Sequence, residues 1–363
     1  MNVTSILTYL MLAAFAAGAL DYVLRGRLGL SEEFEKGIMA AGRLTLCMAG
    51  FIVLAPLIAR VLGPAVAPLF RQLGIDPSII AGMLLANDCG GAALAAELAD
   101  DAQAGQFSGM IVGSMLGTTI MLTIPTVMAC TDGHERTPVI YGIVCGIITI
   151  PAGCLAGGLL AGFPFSMVVL NTLPVLFLSS LLAILMKCLS QKMVPAFSVF
   201  GRLLTAVSIF GLVCGAVENL TGWQMLPGMG TLAYVFPLVG SISVYLAGAF
   251  VLLAAVRRLF ASGLSFLGGV LKINAVSMSA MLLVAANALP PIMMLRDMDD
   301  RGRMLNAAFL VSAACIFGDH LAFTAQMAPE LCLPVVAAKA VGGFSALGLT
   351  LLYGSKYFPG TSD

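Results

Sequence analysis

An all-α, polytopic membrane protein is the fold class this sequence predicts, and three observations predict it. Hydrophobic residues make up 60% of the 363 residues and charged residues only 10%, against about 25% charged residues in ordinary soluble domains. The apolar residues form continuous runs long enough to cross about 30 Å of hydrocarbon as helices. The charges gather in the short connections between those runs. Membrane strands would be shorter and would alternate in polarity, so helices are preferred over a barrel. About ten or eleven helical segments fit, and they occupy residues 1–363 as a single transmembrane domain with no length left for a soluble catalytic module.

Taken in order, the first segment, at 3–24, starts without a basic region and is expected to be a retained helix rather than a cleaved signal. The second, 37–60, carries Arg43, which either neutralises an acidic group or snorkels to the interface. Asn87, Asp88, Gly90 and Gly91 interrupt the third, 78–99, near its middle. In the fourth, 107–130, Gly109, Gly113 and Gly117 recur every four residues and share one face, where a neighbouring helix can approach closely. Gly153, Gly157 and Ala161 repeat that pattern in the fifth, 138–162. The segments 165–186, 197–217 and 231–256 are plain apolar runs, with kinks expected at Pro174 and Pro237. The ninth, 273–295, is interrupted by Asn287, Pro290 and Pro291; the tenth, 305–327, carries Asp319 and His320; and 331–353 completes the set.

Lys187, Lys192, Arg257 and Arg258 mark the cytoplasmic side if the positive-inside rule holds. Arg25, Arg27 and Lys36 then fall outside if every segment crosses once. One segment that enters and leaves from the same side would remove the conflict.

The run from Gly82 to Gly91, followed by Glu97 to Asp101, has a counterpart about 199 residues later in Ala280 to Asn287, followed by Met298 to Asp300. Ser108–Gly117 likewise matches Ala307–Cys315, which suggests an internal duplication with repeat cores at 78–130 and 273–327. Each core contains an interrupted apolar segment. A break in hydrocarbon leaves peptide groups unpaired, so it is tolerated only under a cover of protein or beside a water-filled cavity. Paired breaks of this kind point to a transporter's binding site. Five crossings between the cores would invert them and six would make them parallel; the segments alone leave that parity open.

The candidate substrate-binding residues are Asn87, Asp88, Thr118, Asn287, Asp319 and His320. An intramembrane carboxylate such as Asp88 or Asp319 faces a polar cavity or an ion pair. Asp88 could also cap a half-helix by accepting from backbone N–H groups. Asn87, Asn287 and Thr118 offer amide and hydroxyl partners, and His320 can donate or change protonation. Glu97, followed closely by Asp100 and Asp101, is assigned to the solvated boundary.

Other chemistries do not assemble. Lys plus Arg and Asp plus Glu both total 18, which provides no basic surface for nucleic acid. The nine cysteines contain no C-x-x-C pair and read as small buried thiols. With His134 and His320 as the only histidines, no paired-histidine metal centre is expected. There is no phosphate-binding G-x-x-x-x-G-K-[ST] loop and no G-x-S-x-G elbow, so neither a cofactor nor enzymatic chemistry is expected.

Ordered stretches along most of the chain resemble the EutH family, the ethanolamine permeases of bacterial ethanolamine utilisation. They are Glu35–Ala40, Leu84–Gly91, Ala96–Ala99, Ser108–Gly117, Thr149–Gly158, Asn306–Ala314 and Gly318–Leu321. The resemblance implies a multi-pass protein of the bacterial inner membrane, with ethanolamine or a similar small polar cation as its partner. Three mechanisms follow as expectations: facilitated diffusion or alternating access without a covalent step; coupling to Na⁺ or a proton at an intramembrane carboxylate, for this or another small polar solute; or a membrane sensor or scaffold.

Overall fold

A computed structural model describes residues 3–259 and 261–357. Among them every regular element is helical: α1 (Val3–Val23), α2 (Ser31–Leu44), α3 (Gly50–Gln72), α4 (Ile79–Leu84), α5 (Ala92–Leu98), α6 (Ala102–Gln106), α7 (Ile124–Cys130), α8 (Arg136–Leu160), α9 (Phe165–Thr221), α10 (Leu232–Leu259), α11 (Ala261–Leu271), α12 (Ala275–Val284), α13 (Leu289–Met293), α14 (Asp300–Ala313), α15 (Asp319–Met327) and α16 (Cys332–Tyr357). A π-helical turn at Thr45–Ala49 joins α2 to α3, and π-helical stretches at Phe107–Gly117 and Thr119–Thr123 carry α6 into α7. The long α9 is two helices that meet at Leu189, whose backbone leaves the helical region.

Eight continuous helical paths among the described residues are long and apolar enough to cross a bilayer: 5–23, 31–72, 102–130, 133–160, 165–189, 195–221, 232–259 and 329–354. The path from α14 through α15 crosses too, but it is broken at Ala314–Gly318, so the continuous segment expected at 305–327 is instead two half-helices. Cys315 stands at a φ of 57° within that break. Its N–H and that of Phe317 donate to the carbonyls of Val284 and Ala285 at the end of α12. The break is therefore paired internally, as hydrocarbon requires.

The two interrupted segments are re-entrant hairpins. On the first, the Asp76 carboxylate accepts the N–H groups of both Asp100 and Asp101 at 3.0 Å, so the chain returns to the face it left. Its α4 limb follows the direction of Phe107–Gly117, with Ser78 beside Ser108 and Leu85 beside Gly117; the α5 limb runs back, with Ala92 beside Gly109 and Ala99 beside Gly105. At Gly82, Gly109 and Gly117 the backbones come so close that a Cβ would strike a neighbour, which explains the glycine-lined face in that helix. The turn itself needs Gly90, at a φ of 93°. The second hairpin closes in the same way: the Asp299 carboxylate accepts the Asn274 N–H at 3.0 Å, and the Asn274 side chain donates to the Asp297 carbonyl.

These hairpins enter from opposite faces. Gly158 packs at Phe107 and Gly153 at Met115, so α8 runs antiparallel to 102–130; Gly142 packs at Met304 and Gly146 at Ala308 and Val311, so α8 runs parallel to α14. The helix following one hairpin therefore points against the helix following the other. Five crossings separate them.

One face holds the base of the first hairpin, where Asn171 accepts the Asp76 N–H, and the turn at Glu330, which Gln106 contacts. On it, the Arg71 guanidinium holds the Asp100 carboxyl below the usual carboxylate range. The other face gathers the base of the second hairpin and the connections after α1, α7 and α10, tied by Arg258 donating to Leu28 and Gly29, Arg296 to Cys130, and Arg303 facing Glu135. That face carries Arg25, Arg27, Arg136, Lys187, Arg257, Arg258, Lys272, Arg296 and Arg301, against Arg60 and Arg71 opposite. The positive-inside rule makes the basic face cytoplasmic. With the first hairpin re-entrant, Arg25 and Arg27 join the basic face and the conflict raised by single crossings disappears.

This topology is checked by cysteine labelling in cells after Cys188 is replaced by Ser. Thr231→Cys is expected to react with a membrane-impermeant maleimide from outside and His134→Cys only after permeabilisation; the reverse pattern would refute the assignment.

Candidate functional site

The tips of the hairpins meet the break of α14–α15 in the middle of the molecule. Leu85 and Ala86 leave α4 in extended backbone, and Gly90 turns the chain so that Asp88 and Cys89 are held inward. Asn87 is fully buried and its Nδ2 donates to the His320 carbonyl at 3.3 Å, pinning one break to the other across 233 positions of sequence. Thr118, between two π-helical stretches, donates to the Gly113 carbonyl and lies 3.2 Å from His320 Nε2. Nε2 is also 4.0 Å from Asp88 Oδ1, too far for a hydrogen bond. Asn287 accepts the Leu289 N–H at 2.9 Å and so starts α13 after the second hairpin's break.

A cavity of about 520 Å³ opens from this meeting point. Its inner end is lined by Asp88, Cys89, Thr118, Asn287, Cys315, Asp319 and His320. Leu246, Phe250 and Leu283 form apolar walls, and Glu33, Lys36, Arg43 and Arg257 stand toward the basic face. Five of the six residues anticipated from sequence thus line one space. Asn87 does not line it; it supports His320 from behind.

Unpaired polar atoms cluster at the inner end and just behind it. Asp88 Oδ1, Asn87 Oδ1 and His320 Nδ1 are buried with no hydrogen-bond partner among the described residues. A buried acceptor without a donor costs about 1–3 kcal/mol, and more when it is charged. Asp88 makes no cap: α5 starts at Ala92 with Gly91 at its N-cap and no side-chain capping bond, so helix capping does not account for the carboxylate. Asp319 starts α15, accepts the His320 N–H at 3.1 Å and is only half-buried. The arrangement places two carboxylates, a hydroxyl and an imidazole around a space that water and a small solute can share.

Glu97 is exposed, as its boundary assignment requires. Arg43 faces the cavity rather than snorkelling through lipid. Of the cysteines expected to be small buried thiols, Cys89 and Cys315 are buried and Cys47 is half-buried, and all three line the cavity. The donor atoms of Cys315, Asp319 and His320 lie within 4.8 Å of one another, a mixed set that a thiophilic divalent ion accepts by donor type. A search for paired histidines could not find it. Lys339 was missed as well. It is 1% exposed in α16, and its Nζ donates to the carbonyls of Ser114 and Ala314 at 2.6 and 2.8 Å. A lone lysine inside an apolar run was its available signal.

Residues 3–353 match the family described as "Ethanolamine utilisation protein, EutH". A relative in Listeria monocytogenes, named "Probable ethanolamine permease EutH", is 42% identical over 96% of this chain and 94% of its own length. A Salmonella typhimurium protein of the same name is 36% identical over 97% of this chain and 96% of its own. A Bacillus subtilis protein, "Uncharacterized protein YxeR", is 37% identical over 95% and 94% respectively. No solved structure matches the chain.

If the cavity opens on the basic face, Cys47, half-buried on its wall, reacts with a polar maleimide in inside-out vesicles at least about tenfold faster than the buried Cys154. Equal protection of both thiols, read by mass spectrometry, would contradict that opening.

Proposed function

Because the chain belongs to the EutH family and is a multi-pass inner-membrane protein, we propose that it carries ethanolamine, as its ammonium form, across that membrane by alternating access and without a covalent step. The observation that carries this reading is the buried Asp88 oxygen left without a donor at the end of a cavity open to the basic face. An ammonium group brings three N–H donors and a positive charge, meeting both of that oxygen's requirements. The solute hydroxyl is then left for Thr118, Asn287 or His320, which line the same space. Apolar walls at Leu246, Phe250 and Leu283 offer nothing to a larger polar solute.

The cytoplasmic opening corresponds to the inward-facing state of the carrier. We read the oppositely entering hairpins as the two halves of an inverted pair derived from the cores at 78–130 and 273–327. In such a pair, the exchange of conformations between halves moves the opening from one face to the other while the central seat persists. Relatives named as permeases support transport over a sensor or scaffold role.

Purified protein in proteoliposomes is expected to take up labelled ethanolamine in a saturable manner, with faster exchange when unlabelled solute is placed on the far side. No uptake above empty vesicles would defeat the reading. Asp88→Asn is expected to weaken ethanolamine binding at least about tenfold, the scale of one charge-assisted hydrogen bond, while Glu97→Gln leaves it near wild type. Equal affinities in the two folded variants would remove Asp88 from the seat.

A further inference from the structure

Among the described residues, Lys339 is a fully buried lysine whose ammonium the solute seat does not use. It projects from α16 and is 1% exposed. Its ammonium binds two main-chain oxygens: Ser114, within the π-helical stretch beside the first hairpin, and Ala314, the carbonyl where α14 stops. Neither sits in regular α-helix: Ala314 is the residue at which α14 ends, and Ser114 lies in a π-helical stretch. Such carbonyls, together with the C-terminal ends of half-helices, are the ligands that secondary transporters present to a coupling Na⁺. Here a tethered ammonium holds them.

Charge counting leads to the same conclusion. Just past Ala314, whose carbonyl Lys339 holds, Cys315 and Asp319 line the inner end of the cavity together with Asp88 and His320. At formal charge, the two inner-end carboxylates and this ammonium leave a single negative charge there, which one ethanolammonium neutralises; Lys36, Arg43 and Arg257, with Glu33, line the same cavity nearer the basic face. Without the lysine, the same seat would need the solute and a second cation. Residual charge at bilayer depth is costly, so the balance matters.

We propose that the Lys339 ammonium is a built-in cation, occupying with Ser114 and Ala314 the kind of site a coupling ion fills in other carriers, so that solute binding needs no Na⁺. Lys339 is thus a positioning residue: it closes the broken backbone and sets the charge of the seat without touching the solute. The inference rests on the permease reading above.

Proteoliposome uptake separates the two. Wild-type uptake of labelled ethanolamine is expected to stay within about twofold when N-methylglucamine replaces Na⁺ on both sides, and Lys339→Met is expected to lose at least about tenfold, as an unbalanced intramembrane charge would cause. In Lys339→Ala, where the side chain no longer fills the site, Na⁺ is expected to restore uptake severalfold over N-methylglucamine, a response that a purely structural lysine would not produce. A wild-type requirement for Na⁺, full activity in Lys339→Met, or indifference of folded Lys339→Ala to Na⁺ would each overturn the inference and leave ethanolamine transport standing. The wild-type comparison decides the ion requirement even if both variants misfold. Absence of wild-type uptake under every gradient would overturn the permease reading and this inference with it.

Discussion

Inside hydrocarbon every peptide group must find a partner within the protein, and this molecule is organised around the places where helices cannot supply one. Three breaks reach its centre, at Leu85–Gly91, Ala285–Ala288 and Ala314–Gly318. Each is tolerated because something specific covers it. The first hairpin is pressed against the glycine face of 102–130. The second lends the carbonyls of Val284 and Ala285 to the third break, and Lys339 caps the carbonyl where α14 stops. Small residues at these contacts are the requirement that follows, since any Cβ at Gly82, Gly117 or Gly318 would meet backbone.

The same breaks provide the chemistry. A continuous helix spends its backbone groups on itself and presents only side chains; a broken one frees its backbone and turns short polar side chains inward. Asp88 reaches the cavity because Gly90 takes a left-handed backbone conformation beside it. His320 is held from two directions, by Asn87 through its carbonyl and by Thr118 at its ring. An electrostatic gradient results, with carboxylates at the buried end and Lys36, Arg43 and Arg257 toward the cytoplasmic opening, where Glu33 offsets part of their charge. A cation in such a cavity is drawn to the inner end.

Much of this was legible in the sequence, and the reasons for what was not are physical. Long apolar runs report spans directly, because the solvent imposes their length. Asn87, Asp88, Gly90 and Gly91 in one run, and Asn287, Pro290 and Pro291 in another, reported the hairpin tips, because such residues are expensive anywhere else in lipid. The charge conflict at Arg25 and Arg27 under single crossings points by itself to a re-entrant segment. The break before Asp319 was hidden: Ala314–Phe317 is apolar, and its irregular backbone is imposed by pairing with α12 rather than by local preference. Cys47, Cys89 and Cys315 could not be placed, since a thiol reads the same on a cavity wall and in a packed core. Lys339 required knowing that two distant carbonyls would converge on one point of α16.

The account stands on one contact, between the solute's ammonium and a buried carboxylate at the tip of a re-entrant hairpin. Cryo-electron microscopy of the protein in lipid nanodiscs with saturating ethanolamine addresses it most directly. The account predicts solute density at the inner end of the cavity, its nitrogen about 3 Å from the Asp88 carboxylate, with residues 87–91 irregular and His320 still held by Asn87. Density seated elsewhere, or an unbroken helix passing through those positions, would contradict it.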